Sequence, residues 1–399
     1  MRLIHTSDWH LGRTLFGTSL LEDQAHVLEQ LLENVRDFRP DVVVIVGDLF
    51  ERATPGPEAV ELLDRTLSRL IQDAKVKVVL LPGQQDSATR LAFCSWLLDK
   101  RGLYLITNLE QALSPLVFED ADGPVHVHAI PYLDPAAIGR HFRGEPATGH
   151  SAAISELLNH LTRFRRLRRK SVRGVVAGYL QLAGGVPAGS ERPLAAPGEP
   201  GVDPESFAGI SYGALGYYHQ PQQFGNLCYS GAPLPFSFAE AETPRSLNRV
   251  EIDREGQSVV ESVLLKPKRF LHRLEGSLEL LLEGPGPEVR AGDYVMLVLD
   301  DASAPSAEQM DRLRRLYPNL LSLERPALDA AEAPGALPEG PLLDLYASFF
   351  RKATGQDLED EARRTLQDLL QEEAMVMVPP TGAAGGFKEP SQRAGEHEA

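Results

Sequence analysis

Side chains that can bind metal ions or transfer protons follow several strand-like segments of the sequence. They are Asp8, His10, Asp48, a Gly-Gln-Gln-Asp loop (83–86), Tyr179 and a Tyr-Tyr-His run (217–219). Each also has a structural explanation, since an Asp after a Gly is a common turn residue and a lone His is more often structural than a ligand. The residues alone therefore leave a shared site and a purely structural role equally open.

Strand-like and helix-like patterns alternate along the first part of the chain, which is typical of layers packed around mainly parallel strands. The predicted strands are 2–8, 41–48, 75–82, 125–132, 173–179 and 212–219. The predicted helices are 20–38 and one that begins at Pro57, with Val60, Leu63, Leu67 and Leu70 at helical spacing. Loops beyond the carboxyl ends of such strands form the crevice where ligands bind, so the polar residues above are expected to converge there.

Length and composition limit the class of protein. The chain has 399 residues, of which 43% are apolar, so it can bury at least one large core. No apolar stretch approaches the roughly 18 residues of a membrane helix and no signal-peptide pattern opens the chain, so a cytoplasmic protein is expected. Cys94 and Cys228 lack metal-type spacing and are expected to be buried free thiols. The net charge of −16 opposes DNA binding except through a local basic face or a basic partner.

Five motifs, in this order and spacing, make the chain resemble the SbcD family. They are HTSDWHLG (5–12), GDLFE (47–51), PGQQD (82–86), ALGYYHQPQ (214–222) and GAPLPFSF (231–238). SbcD proteins are the nuclease subunits of bacterial SbcCD complexes and belong to the calcineurin-like metallophosphoesterases. The resemblance covers most of the chain. It implies a layered α/β (α+β) fold, in which a β-sandwich flanked by helices is followed by a small α/β capping domain and C-terminal helices.

The family's reaction is phosphodiester hydrolysis by two metal ions about 3.5–4 Å apart, which activate water and stabilise the displaced oxygens. Carried onto this sequence, the resemblance assigns the first ion to Asp8, His10 and His219, and Asp48 bridges to the second ion. All four residues match the family. Their oxygen and imidazole groups suit manganese, or zinc as a substitute.

The residues expected around the second ion depart from the family. Gln84 and Gln85 stand where the family has an Asn ligand and a His near the scissile phosphate. The extra methylene of Gln84 displaces its amide oxygen by about 1.5 Å, whereas metal sites tolerate about 0.2 Å. Gln85 has no titratable proton for general-acid catalysis. Tyr179 and Tyr217 replace two histidine ligands, and a phenol with a pKa near 10 is a poor ligand at neutral pH.

The favoured interpretation is a mononuclear site with about one manganese ion per chain and weak or lost nuclease activity. Three alternatives stay open. The matching residues can be inherited scaffold without a metal, since fold and function separate readily. The chain can be an active manganese-dependent DNA exonuclease and endonuclease of the SbcD type, or Tyr179 or Tyr217 can bind iron(III). A small-molecule phosphoesterase is less favoured, because it would leave the C-terminal helices without a use.

The predicted domain order follows from the resemblance and from composition. The segments are a metallophosphoesterase domain (1–268), a capping domain (269–325), a linker (326–341), C-terminal helices (342–376) and a disordered tail (377–399). In the family the C-terminal helices dock on an SbcC-type ATPase. The implied partners are therefore an SbcC-like SMC-type ATPase, DNA and a second copy of the chain within a heterotetramer that processes double-strand breaks and hairpins. The basic run 163–173 is either a phosphate-binding surface or a solvated helix face.

Overall fold

The computed structural model describes residues 1–147, 149–167, 173–194, 198–300, 305–325, 342–354, 358 and 362–363. The chain divides into two compact units, Met1–Pro326 and Ala327–Ala399. The described part of the second unit includes one helix, Leu342–Thr354. None of the helices in the described ranges combines the length and apolarity needed to cross a membrane.

The first sheet contains six strands, numbered here in chain order: β1 Arg2–Ser7, β4 Val42–Val46, β5 Lys77–Leu81, β6 Leu103–Leu105, β13 Ser246–Ile252 and β14 Ser258–Leu264. Their spatial order is β14-β13-β1-β4-β5-β6, in which β1, β4, β5 and β6 run parallel. Every residue of β4 is valine or isoleucine and is buried, as expected for a parallel strand covered on both faces. A short hairpin follows β1, formed by β2 Thr14–Leu15 and β3 Thr18–Ser19.

The second sheet also contains six strands: β7 Leu116–Asp120, β8 Gly123–Ile130, β9 Arg173–Tyr179, β10 Tyr212–Gly216, β11 Gln222–Phe224 and β12 Leu227–Tyr229. Their spatial order is β11-β12-β10-β9-β8-β7, with β8, β9, β10 and β12 parallel. One hydrophobic cluster joins side chains of the two sheets, including Val44 of β4 and Val127 of β8. The two sheets therefore form a β-sandwich.

Helices cover the sandwich, and their bounds are α1 Leu21–Phe38, α2 Pro57–Ser68, α3 Ala88–Leu91, α4 Ser95–Asp99, α5 Leu109–Ala112, α6 Pro135–Arg143 and α7 His150–Leu167. A π-helical turn, Arg69–Asp73, extends α2, and single 3₁₀ turns lie at Pro204–Phe207 and Phe238–Glu240. Val43 and Ile45 of β4 pack with Leu28 and Leu31 of α1 in a second hydrophobic cluster. Because alternate residues of β4 belong to the two clusters, the first sheet is a middle layer between the second sheet and the helices.

The described residues between 269 and 325 include a small three-stranded parallel sheet and two helices. The elements are β15 Leu271–Gly276, α8 Leu278–Leu281, β16 Tyr294–Leu299, α9 Ala307–Leu316 and β17 Leu320–Glu324. Arg269 Nη1 lies 2.7 Å from Asp23 Oδ2 of α1, and the Tyr294 hydroxyl donates a 3.0 Å hydrogen bond to the same oxygen. These bonds tie the small sheet to α1, and its role as a capping domain stays a prediction.

The layered α/β fold predicted from the sequence is confirmed, including each of the predicted strands. Two details were wrong. Val60 is 45% exposed, because α2 turns Ala59 and Leu62 toward the core, together with Leu63 as predicted. Cys94 is only partly buried, while Cys228 is buried as expected.

Several predictions concern residues outside the described part of the chain: the linker 326–341, most of the C-terminal helical segment beyond 354, the tail 377–399 and residues 168–172 of the basic run. At the end of that run, Arg173 is buried, and its Nη2 lies 2.5 Å from Asp120 Oδ1. This arginine is therefore not available to contact phosphates.

Candidate metal centre

The carboxyl ends of parallel strands from both sheets meet at one edge of the sandwich, and the predicted site residues lie there. Asp8 and His10 follow β1, Asp48 follows β4, and His219 lies beyond β10. The ligand atoms of Asp8, His10 and His219 lie within 4.8 Å of one another. The Nε2 atoms of His10 and His219 are 3.1 Å apart, and Asp48 Oδ2 lies 3.7 Å from His10 Nε2. All four side chains are buried.

Close backbone packing brings these side chains together. A Cβ at Gly216, the last residue of β10, would lie 2.4 Å from the carbonyl oxygen of Val46 in β4, so the approach of the two sheets requires glycine. Beyond the strands, Asp8, His10 and Asp48 have φ angles of 52°, 46° and 33°. Such positive φ angles in non-glycine residues cost on the order of 1–3 kcal/mol each and cluster at functional sites. The surrounding structure therefore holds the three side chains in place against local backbone preference.

Each histidine is held at the ring nitrogen that faces away from its neighbour. His10 Nδ1 lies 3.0 Å from Glu51 Oε2, and His219 Nδ1 lies 2.6 Å from Ser190 Oγ. Because an ionised carboxylate only accepts hydrogen bonds, it favours a proton on His10 Nδ1 and leaves Nε2 with a lone pair for a ligand. The Ser190 hydroxyl can accept a hydrogen bond from His219 Nδ1 in the same tautomer. Glu51 belongs to the GDLFE motif, but no role was predicted for it, and no sequence motif pointed to Ser190.

Burial makes the charged forms of Asp8, Asp48 and His219 unfavourable. Burial, followed by the charge of Asp48, raises the pKa of Asp8 well above its usual value. Burial also raises the pKa of Asp48, although the nearby His10 opposes the rise. Burial and the charge of His10 hold the pKa of His219 well below its usual value. A divalent cation would favour the ionised carboxylates and the neutral imidazoles, which are the forms that bind metals.

The donors of this group fit one divalent ion. Metal–nitrogen bonds of about 2.0–2.1 Å place two imidazole nitrogens in neighbouring positions roughly 3 Å apart, and 3.1 Å separates the two Nε2 atoms here. Two lone pairs that face each other at this distance repel, unless a proton or a cation lies between them. Asp8, His10 and His219 can therefore hold a divalent metal, and such an ion would polarise a phosphoryl oxygen or activate a water.

Tyr179, which stands where the resemblance places a histidine ligand, closes the other half of the centre. Its hydroxyl donates a 2.7 Å hydrogen bond to Asp48 Oδ2, an oxygen of the carboxylate predicted to bridge two ions. Its ring packs on the backbone at Gly47, where a Cβ would lie 1.9 Å from Tyr179 Cδ2. Burial and the negative charges of Asp48 and Asp8 raise the pKa of Tyr179 well above its usual value, so the phenol keeps its proton.

Tyr217 supports the centre through its backbone, while its side chain packs among other tyrosines. Its backbone N–H lies 3.2 Å from each carboxylate oxygen of Asp8. Its ring meets the rings of Tyr179 and Tyr218 at centroid distances of 6.0 and 5.0 Å, and its φ angle of 121° is unusual for a residue with a bulky side chain. Burial raises the pKa of Tyr217 to about 12. The phenol is therefore neutral near pH 7.

The Gly-Gln-Gln-Asp loop forms several hydrogen bonds within the protein. Gln84 Nε2 donates a 2.8 Å hydrogen bond to the carbonyl oxygen of Arg192, and the backbone N–H of Gln85 donates a 2.8 Å bond to Asp48 Oδ1. Asp86, for which no role was predicted, accepts hydrogen bonds from three backbone N–H groups, two of them in the loop after β4. Burial raises the pKa of Asp86 to about 7. This loop thus positions Asp48 through Gln85.

The ring of Phe236 packs against both histidines. The ring centroid of Phe236 lies 5.2 Å from that of His10 and 5.4 Å from that of His219, and the guanidinium of Arg13 lies 4.7 Å from the Phe236 centroid. Phe236 belongs to the GAPLPFSF motif, which supports the resemblance but predicted no role for any single residue. The alternating apolar residues of that motif are buried, and this alternation was the only sequence signal that Phe236 packs inward.

A family model for calcineurin-like phosphoesterases matches residues 1–160. The layered fold and the group of carboxylates and histidines at the strand ends agree with that class of protein. Among solved structures, the crystal structure of TT1561 of Thermus thermophilus aligns with a TM-score of 0.37 and 14% identity, covering 65% of this chain and 98% of that one.

Two curated relatives, both D subunits of the nuclease SbcCD, define the family further. The chain is 30% identical over 332 residues to the protein from Staphylococcus saprophyticus subsp. saprophyticus, covering 82% of this chain and 86% of the relative. It is 29% identical over 334 residues to the protein from Staphylococcus epidermidis, covering 83% and 87%. The chain belongs to the SbcD family of calcineurin-like phosphoesterases.

Proposed function

We propose that this chain is the SbcD-like subunit of an SbcCD-type complex that processes DNA double-strand breaks and hairpins, and that its own nuclease activity is weak or lost. In this proposal a single manganese ion binds to Asp8, His10 and His219, with Asp48 beside it. The observation that carries the proposal is the 2.7 Å hydrogen bond from the Tyr179 hydroxyl to Asp48 Oδ2. The proposed location is the cytoplasm.

The loss of activity follows from what a second ion would have to displace. Tyr179 is bonded to Asp48 Oδ2, an oxygen of the carboxylate that would bridge the ions, and the bond from Gln84 Nε2 to the Arg192 carbonyl holds the Gln84 amide in place. Neither Tyr179 nor Tyr217 offers an ionised oxygen near neutral pH, because burial raises the pKa of each. One ion of a two-metal pair stabilises transition-state charge by several kcal/mol, and about 1.4 kcal/mol corresponds to a tenfold change in rate. A rate about three orders of magnitude below that of an intact family member is expected.

The proposed partner is an SbcC-like ATPase of the SMC type. The relatives are named as the D subunits of the nuclease SbcCD. In the helix Leu342–Thr354, the apolar residues Leu343, Leu345 and Phe350 are only partly buried, which suits a helix that docks on another protein. DNA would be bound with this partner, since the net charge of −16 disfavours DNA binding by the chain alone.

A homodimer within the heterotetramer is also part of the proposal. Phe93 and Trp96 are 79% and 67% exposed, and Leu97 beside them is 46% exposed. Neighbouring large apolar side chains that are this exposed typically mark an interaction surface. We expect Trp96→Glu to convert a dimer into a monomer, measured by light scattering after size exclusion. A dimer of unchanged mass would rule out this surface.

The decisive experiment combines metal content with cleavage. The purified chain is loaded with manganese, analysed for metal by elemental analysis, and assayed with and without its ATPase partner on duplex ends and hairpins. We expect close to one ion per chain and little or no cleavage by the chain alone.

Each other outcome has a distinct meaning. Two tightly held ions, or cleavage at the rate of an intact family member that Asp8→Ala removes, would contradict the proposal and support an active manganese nuclease. A chain that binds no manganese would show that Asp8, His10 and His219 are inherited scaffold.

A further inference from the structure

A polar segment, residues 186–192, crosses between the two sides of the candidate metal centre, and we call it the strap. At its beginning, Val186 and Gln222 exchange two hydrogen bonds: the Val186 N–H donates to Gln222 Oε1 at 2.8 Å, and Gln222 Nε2 donates to the Val186 carbonyl at 2.7 Å. At its end, Gln84 Nε2 donates to the Arg192 carbonyl at 2.8 Å. Gln222 begins β11 in the second sheet and Gln84 follows β5 in the first, so the strap links the two sheets across the centre.

Glu191 organises the strap around His219. Its Oε1 accepts hydrogen bonds from the backbone N–H groups of Ala188 and His219 at 2.8 and 2.9 Å, and its Oε2 accepts one from Gly189 at 2.8 Å. A carboxylate bound by three N–H groups fixes both the shape of the strap and its distance from the histidine backbone. Ser190, the residue before it, places its hydroxyl 2.6 Å from His219 Nδ1.

The strap also reaches the second histidine. Arg192 Nη2 lies 3.5 Å from Glu51 Oε1, and the other oxygen of Glu51 lies 3.0 Å from His10 Nδ1. Each of the two imidazoles thus has its Nδ1 held by a group that the strap supplies or contacts. Groups of this kind orient a ligating histidine and select its tautomer, and their removal typically lowers metal affinity by about 10- to 100-fold.

We propose that the strap presets His219 for the metal ion, with Ser190 and Glu191 as positioning residues, and that Gln84 fastens the strap to the first sheet. Gln84, which stands where the family has an Asn ligand, thereby acts on the single proposed ion indirectly, through the strap. This inference rests on the proposed function, because it requires an ion at Asp8, His10 and His219.

The first arm of the test measures manganese affinity by isothermal titration calorimetry. Ser190→Ala should lower the affinity by about 10- to 100-fold, and Ser190→Thr, which keeps a hydroxyl, should retain most of it. Far-UV circular dichroism and the melting temperature show whether each variant is folded. The rescue by threonine separates positioning of His219 from a general effect on stability.

The second arm measures hydrogen exchange in the metal-free protein, at the amides of Ala188, Gly189 and His219 that donate to Glu191. Gln84→Ala removes one hydrogen bond at the end of the strap and should speed their exchange by about three- to tenfold. Gln223→Ala is the matched control, because Gln223 Nε2 donates a 2.8 Å bond to the Gly225 carbonyl in the turn between β11 and β12. It should leave the exchange of the three amides unchanged.

The outcomes separate the inference from the function on which it rests. If the unaltered chain binds no manganese, the proposed function fails, and the positioning role fails with it. If the unaltered chain binds one ion but Ser190→Ala binds it equally well, only the positioning role is overturned. If Gln84→Ala and Gln223→Ala have the same exchange rates, Gln84 does not fasten the strap.

Discussion

The two halves of the candidate centre occupy equivalent positions at the strand ends but differ in where their polar atoms point. In the half formed by Asp8, His10 and His219, hydrogen-bond partners hold the outer nitrogens, and the two Nε2 atoms face each other at 3.1 Å. In the half formed by Tyr179 and Tyr217, the Tyr179 hydroxyl is bonded to Asp48 and both rings pack in an aromatic cluster. The first half leaves two imidazole nitrogens facing a possible metal ion. In the second half, the Tyr179 hydroxyl is bonded to Asp48 within the protein.

This difference separates the contribution of the fold from that of the side chains. Both halves keep unusual backbone angles, with φ of 52° at Asp8 and 121° at Tyr217. Glycine contacts are equally close in both, since Gly216 meets β4 and Gly47 meets the Tyr179 ring. The backbone of a metal site is therefore present in both halves, whereas the side chains of only one half suit a metal. Changing side chains alone should then be enough to alter the second half.

The largest effect is expected from converting the second half into the family's residues. The combined change Gln84→Asn, Gln85→His, Tyr179→His and Tyr217→His supplies an amide and two imidazoles around Asp48, together with a general acid. Cleavage of duplex ends in manganese should rise by about three orders of magnitude or more, and elemental analysis should find a second ion.

Single reversions are the matched controls for the combined change. Each should change cleavage little, because one restored ligand leaves a second ion undercoordinated and effects of groups that act together do not add. If the combined variant binds two ions but stays inactive, the claim that only the second half is altered is wrong, because the first half would then be defective as well.

Much of this arrangement could be predicted from the sequence, because strands and their ends have local signals. The uninterrupted apolar runs that became β4 and β5 predicted buried parallel strands, and polar residues after such strands meet at one edge. The resemblance then selected Asp8, His10, Asp48 and His219, which the structure brings together. The substitutions at Tyr179 and Tyr217 were visible in the motifs themselves.

The strap and its contacts could not be predicted, because they depend on pairings between distant residues in a loop without periodicity. Ser190 lies 29 positions from His219, and Gln84 lies 108 positions from Arg192. Residues 186–192 form neither a helix nor a strand, so no spacing rule places their side chains. The sequence predicted that the amide oxygen of Gln84 is displaced from the ligand position. It did not predict that Gln84 Nε2 donates to the Arg192 carbonyl, for the same reason.

A smaller effect, on metal affinity, should distinguish the halves directly. Asp8→Asn removes a charged oxygen that would bind the metal, while keeping the size of the side chain. Changing a residue that is only hydrogen-bonded to a metal-binding side chain lowers metal affinity by about 10- to 100-fold. Losing a metal-binding oxygen itself should therefore lower manganese affinity by about 100-fold or more. Gln85→Ala changes a side chain of the other half and should alter the affinity by less than about threefold. Isothermal titration calorimetry measures both. Equal losses would mean that the ion lies between the halves rather than in the first.

The smallest expected effect concerns the bond that closes the second half. Tyr179→Phe removes the hydroxyl that donates to Asp48 Oδ2 and leaves this buried carboxylate oxygen without that donor. The free energy of unfolding of the metal-free chain should fall by about 1–3 kcal/mol, measured by urea unfolding in the presence of a chelator. Tyr218→Phe is the matched control, because it removes a 3.1 Å bond to the neutral carbonyl of Leu182 and should cost about 1 kcal/mol or less. Manganese should recover more stability in Tyr179→Phe than in Tyr218→Phe, since a cation near Asp48 replaces the missing donor. If manganese stabilises both variants equally, the Tyr179 hydroxyl does not compete with a metal for Asp48, and the second half is closed for another reason.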